Sequence, residues 1–134
     1  MNYSLTTTIE ESFESALAAT RAALADQGFG VLTEIDMAAT MKEKLDVDMA
    51  PQVILGACNP PLAHSALQLE ESIGLLLPCN VVVRSVAEGR TVIEAVDPHV
   101  MVTLTGNDGL RTVADDAASR LSAALRGLTP TPTV

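Results

Sequence analysis

Gln52-Val53-Ile54-Leu55-Gly56-Ala57-Cys58-Asn59-Pro60-Pro61 is a nearly unbroken apolar run that stops at an asparagine and two prolines. A run of this length without polar alternation has the pattern of a central strand covered on at least one face. Asn59 can cap a helix, and the prolines fit a first helical turn, where no backbone N–H is needed. Strand therefore passes directly into helix, and that helix runs to about Glu70.

Reading upstream from this junction, Phe29 to Ile35 forms a strand, and Asp36 caps a helix through about Leu45 that is rich in good helix formers. Before it, Ile9, Phe13, Leu17 and Leu24 recur at helical spacing with Ala16, Thr20 and Ala23 alongside, predicting a helix over about 9–27. Thr8 and Glu11 have the spacing of a capping box at its start, and Gly28 stands just past its end, where positive φ is often needed. Asn2 to Thr7 is short and β-capable.

Downstream, Leu75 to Val86 and Arg90 to Val96 read as two strands of an antiparallel hairpin turning at Glu88-Gly89. Asp97-Pro98 ends the hairpin. Asp108 opens a closing helix whose apolar stripe includes Val113, Ala117, Leu121 and Leu125. The order is βαβαβαββα. Three βα units followed by a hairpin predict an α+β domain with a mixed sheet and helices packed on it, over residues 1–128. Residues 129–134, Thr-Pro-Thr-Pro-Thr-Val, are expected to form a flexible tail.

A chain of 134 residues falls in the range of one domain and can build a core without staples. Hydrophobic residues make up 48% and aromatics only 2%, so the core must be aliphatic, with Tyr3, Phe13 and Phe29 as its only rings. Seventeen acidic against eight basic residues give a formal charge of −9, which repels phosphate backbones and anionic lipids. Nucleic acid and membrane are excluded as partners on that ground. Met1 to Leu5 lacks the charged and apolar regions of a secretory signal, and no apolar run approaches the roughly 18–20 residues of a span. Two cysteines do not make a secreted disulfide framework, so reduced thiols in a cytoplasm are expected.

The unusual residues gather between Gly56 and Asn80. Cys58-Asn59-Pro60 lies where a strand gives way to a helix, a place where free N–H groups and the helix dipole attract anions and stabilise a thiolate. Against this stands the plain reading of Cys58 as a small buried hydrophobe. Pro78-Cys79-Asn80 mirrors the first motif. The two cysteines share one end of the sheet if their strands are antiparallel neighbours, and lie at opposite ends if a crossover makes them parallel. Cys58, His64, Cys79 and the glutamates Glu70 and Glu71 form in principle a set for zinc or copper, although CxxC spacing is missing. No metal or cofactor is expected. His64 reads more simply as a helix-surface residue, and Lys42 and Lys44 as solvated lysines. His99 follows Asp97-Pro98 closely enough for an Asp–His couple that only geometry can establish. Signatures of serine hydrolases, P-loops and zinc proteases are missing, and Gly28-Phe29-Gly30 precedes a strand, which defeats a dinucleotide-binding reading.

Several strings resemble one family: Gly28 to Ile35 (GFGVLTEI), Leu55 to Pro60 (LGACNP), Leu62-Ala63, Ile73 to Val81 (IGLLLPCNV), and Asp97-Pro98. They are similar to the bacterial and archaeal family called domain of unknown function 302, from about Leu5 to Leu128. The resemblance implies an α+β fold with a mixed sheet and a symmetric homodimer, and it implies no established reaction. Members of that family often carry aromatics near positions 49 and 52, where this chain has Met49 and Gln52.

Three functional readings follow. The first is a small binding or interaction domain with a small-molecule ligand site at Cys58, Asn59, Glu71, Cys79 and Asn80, because a pocket needs a few convergent polar groups. The second is a thiol-dependent redox or metal-binding enzyme using Cys58 and Cys79. The third is a structural homodimer without a ligand.

Overall fold

The computed structural model describes residues 2–128. Five strands, β1 (Ser4–Ile9), β2 (Gly30–Asp36), β3 (Gln52–Cys58), β4 (Cys79–Ala87) and β5 (Arg90–Val96), form one open sheet in the order β1-β5-β4-β3-β2. The helices are α1 (Phe13–Asp26), α2 (Met37–Leu45), α3 (Pro60–Leu69), α4 (Val100–Thr105) and α5 (Arg111–Arg126). The class is α+β, and the order agrees with the sequence reading apart from the added α4 and two 3₁₀ segments, Glu71–Leu76 and Asp108–Leu110.

Every neighbouring strand pair is antiparallel, so the expected mixed sheet is corrected in this respect. The reason lies in the connections. Between β3 and β4 the chain descends through α3 and returns through the 3₁₀ segment Glu71–Leu76. At rises of about 1.5 and 2.0 Å per residue these two passes are nearly equal in length. β4 therefore begins at the end where β3 finishes, and Cys79 faces Ala57 in register.

Alternation then sorts the strands into faces. Leu55, Val81, Val83, Ile93 and Ala95 point into the main core, which Leu24 of α1 and Leu121 of α5 close from above. A second cluster joins Ala66 of α3, Ile73 of the 3₁₀ segment, Met101 of α4 and Val113 of α5. Burying a Leu or Ile side chain contributes roughly 1.5–3 kcal/mol, so these aliphatic clusters hold the layers together with Phe29 as their one fully buried ring. Phe13 is half-buried against the core, and Tyr3, expected inside, is 71% exposed.

Local differences have local causes. β1 continues to Ile9, so the Thr8–Glu11 capping box does not form; Ser12 caps α1 instead, its Oγ accepting from Ser15 N at 3.2 Å. Asp36 and Asn59 cap α2 and α3 as expected, and Gly28 has φ of 84°. Leu75 to Leu77 are not strand. Pro78 has no N–H for the ladder, so β4 starts only at Cys79. The closing helix begins at Arg111 rather than Asp108, after the intervening 3₁₀ turn. The tail expected at residues 129–134 lies outside the described residues.

Candidate functional site

Because β3 and β4 are antiparallel neighbours, Cys58 and Cys79 occupy the same end of the sheet. Cys79 points inward with Ala57, beneath α3 and α5, and both thiols are free and half-buried. They border a cavity of ≈ 30 Å³ closed by Phe29, Leu62, Met101 and Val113. A single water needs roughly 10–15 Å³, so this space holds about two or three at most. Its walls are almost wholly carbon and sulfur. Burial, with a smaller contribution from the charge of Cys58, pushes the Cys79 thiol up to about 11. Cys79 is therefore a protonated, poorly nucleophilic thiol at neutral pH.

Asn59 also borders the cavity, but its amide is committed to structure. Its Oδ1 accepts from Leu62 N at 3.2 Å, capping α3, and its Nδ2 donates to Gly28 O at 3.3 Å, tying α3 to the turn before β2. Arg120 of α5 secures the same turn by donating to Gln27 O at 3.2 Å.

Leu77 and Pro78 line this cavity on one side and a second recess on the other. The second recess is an open groove of ≈ 400 Å³, bordered by Tyr3, Leu75, Leu76, Pro78, Asn80 and Leu104. Asn80 reaches it because alternation turns residue 80 to the face opposite Cys79. Leu75 is 87% exposed and Leu104 66%. Glu71 begins the same 3₁₀ segment and is exposed. Pro78 is held in place from below by Gly56, where any Cβ would lie 2.8 Å from the proline Cγ and overlap Thr33 Oγ1.

The sequence candidates thus divide. Cys58, Asn59 and Cys79 come together at the inner cavity, while Asn80 lies on the outer groove. Glu71 lines neither, being exposed at the start of the 3₁₀ segment, and His64 is exposed on α3. No group of three His, Cys, Asp or Glu able to hold a metal occurs among the described residues. Met49 and Gln52 sit at or before the start of β3, the end opposite Cys58. The sequence missed the groove itself. Its signal was Leu75-Leu76-Leu77 followed by proline, an apolar run unable to join the sheet.

His99 supplies the couple that sequence left open. Its Nδ1 lies 2.7 Å from Asp97 Oδ1 and its Nε2 2.7 Å from Asp115 Oδ1. Hydrogen bonds to Asp115 and then Asp97 raise the histidine pKa, since both contacts favour the imidazolium. With both ring nitrogens occupied, this cluster fastens α4 to α5.

The family profile described as "Domain of unknown function DUF302" matches residues 5–128. The chain is also similar to a solved structure described as an uncharacterized conserved DUF302 protein from Bacillus stearothermophilus. The two share 29% identity with a TM-score of 0.87, over 96% of this chain and 99% of that one. No curated protein matches the chain.

Proposed function

The chain belongs to the domain of unknown function DUF302 family, and from that premise we propose that it is a small binding domain whose site is the groove beside Pro78-Cys79-Asn80. One observation carries the reading: Tyr3, Leu75 and Leu104 leave large apolar surfaces exposed around a single recess. Exposed apolar surface concentrated in one place is the usual mark of an interaction site. Ligand sites commonly measure about 300–1,000 Å³, a range that includes the groove and excludes the inner cavity. Asn80 and the Tyr3 hydroxyl supply orienting polar groups.

A neutral environment-sensitive dye such as Nile red tests this reading. Its emission should rise on addition of the protein, and Leu75→Ser and Leu104→Ser should each abolish most of the rise. Unchanged emission with the folded wild type would remove the proposal. The thiol-dependent alternative has less support, since burial keeps Cys79 protonated.

A homodimer is the second reading. Leu32, Ile35, Leu45, Val47 and Met49 are all exposed and come from β2, α2 and the loop into β3. A second copy covering that surface would hide apolar area that water otherwise meets. Light scattering at micromolar concentration should give twice the chain mass, and Ile35→Glu should halve it. A wild-type monomer would eliminate this reading.

A further inference from the structure

We infer that the groove takes a peptide segment whose aliphatic side chains stand beside a lysine or arginine, an inference that rests on the binding reading above. Shape comes first. A second open recess of ≈ 270 Å³ is walled by the same Leu75, Leu76 and Leu104, so the two recesses adjoin across these leucines. An extended segment reaches across two adjoining recesses better than a compact small molecule does.

Charge then narrows the occupant. Glu70 lines the second recess, its Oε1 accepting from Asn107 Nδ2 at 3.2 Å, and Glu71, next to it in sequence, lines neither recess but is exposed; neither has an ion-pair partner among the described residues. Neither recess is lined by a lysine, arginine or histidine. The arginines and histidine flanking these segments are engaged elsewhere: Arg84 bonds Glu94 at 2.7 Å, His99 stands between Asp97 and Asp115, and Arg111 bonds Asp108 at 3.0 Å, while the exposed His64 lies earlier on α3 and lines neither recess. Apolar recesses bordered by a carboxylate that no cation neutralises accept a basic amphipathic partner and repel an acidic one. Two other occupants fit poorly. A second copy would bring the same glutamates with it, and the chain's own Thr129–Val134 carries no cation.

The test uses the full chain and two capped hexapeptides, one alternating leucine with lysine and the other leucine with glutamate. Binding is followed by calorimetry and by amide NMR shifts. The lysine peptide should bind more tightly, with shifts centred on Leu75, Leu104 and the Asn80 side-chain amide. Salt should weaken it, and Glu71→Gln should lower its affinity about two- to fivefold, the range of an exposed ion pair. Glu71→Gln removes no side-chain hydrogen bond or ion pair among the described residues, so a loss of affinity would not be a folding defect. Equal affinity for both peptides, or shifts located elsewhere, would overturn the inference while leaving the groove reading intact. The same holds if neither peptide binds but Nile red still responds to Leu75 and Leu104. Failure of the peptides and the dye together would overturn both.

Discussion

Replacing Gly56 by alanine probes the contact on which both recesses depend. Gly56 lies in β3 between Thr33 of β2 and Asn80 of β4, and its missing side chain leaves room for the Pro78 ring. An alanine Cβ would overlap Thr33 Oγ1 and come within 2.8 Å of Pro78 Cγ. Thr33 is exposed and can turn away at modest cost, whereas the proline ring is fixed to the backbone that starts β4. Overpacking of this kind typically costs about 1–3 kcal/mol. With an unfolding entropy of roughly 2.1 cal/mol/K per residue over 134 residues, a cost of about 2 kcal/mol lowers Tm by about 7 °C. Thermal melts by circular dichroism, paired with urea titrations, measure the loss. Adding Thr33→Ala should recover part of it, because one of the two clashes disappears, and a double-mutant cycle isolates that coupling. A Gly56→Ala protein melting within 2 °C of wild type (on the scale of ~2 kcal/mol for overpacking) would refute the account of this contact.

Cys79→Ala should cost about 1 kcal/mol through a small enlargement of the cavity, and Cys79→Ser more, because a hydroxyl there meets no partner; equal urea midpoints for the two variants would contradict the apolar-filler role. Because the folded Cys79 pKa is raised, the stability it contributes is complete below the ordinary value of 9.0 and is lost as pH rises toward about 11. Alkaline melts of wild type and Cys79→Ala should therefore converge over that window. His99 has the same sign at lower pH: its contribution is complete below 6.5 and declines as pH passes its raised folded value. The ring is 42% exposed, so the slope is shallow, and His99→Gln should flatten it; an unchanged slope would show that another group titrates. Asn59→Ala removes a helix cap and the link to Gly28, at a cost of about 1–2 kcal/mol in a chemical-denaturation assay.

The sequence disclosed those parts of the fold that rest on local chemistry. Apolar periodicity located α1 and α5, and the caps Asp36 and Asn59 marked two helix starts within a residue. Gly28 announced a positive-φ position and Glu88-Gly89 a turn, whereas the positive φ of Asp46 and Gly106 was not foreseen. What sequence did not disclose depended on contacts between distant residues. Ser12 prevailed over Thr8 as a cap because β1 pairs with β5 as far as Ile9 and Thr91, drawing Thr8 into the sheet. Leu75 to Leu77 has strand composition, yet buried Ile73 and ladder-blocking Pro78 bracket it; Leu75 and Leu76 coil into the 3₁₀ segment, and Leu77 is extended but outside the sheet. The antiparallel pairing of β3 with β4 followed from where that turn delivers the chain, which spacing alone cannot encode. The candidate site was legible to the same degree. The Cys-Asn motifs drew attention to this end of the sheet, whereas the apolar groove was not legible, because exposure is a tertiary property.

The two motifs make physical sense once the pleat is taken into account. In Pro78-Cys79-Asn80, proline ends the 3₁₀ passage and forms the wall between the two recesses, so the next residue is the first able to pair. Alternation then sends Cys79 inward and Asn80 outward. A cysteine suits the inward position because it is small, weakly polar and content without a hydrogen bond. An asparagine suits the outward one because it offers both donor and acceptor at the lip of an open groove. In Cys58-Asn59-Pro60 the neighbouring strand uses the same residues to finish: thiol at the strand end, amide as cap, proline in the first helical turn. Chemical distinctiveness in the sequence here reflects the demands of a crowded sheet end. The proposed binding surface instead rests on leucines beside it, which looked ordinary until their exposure was known.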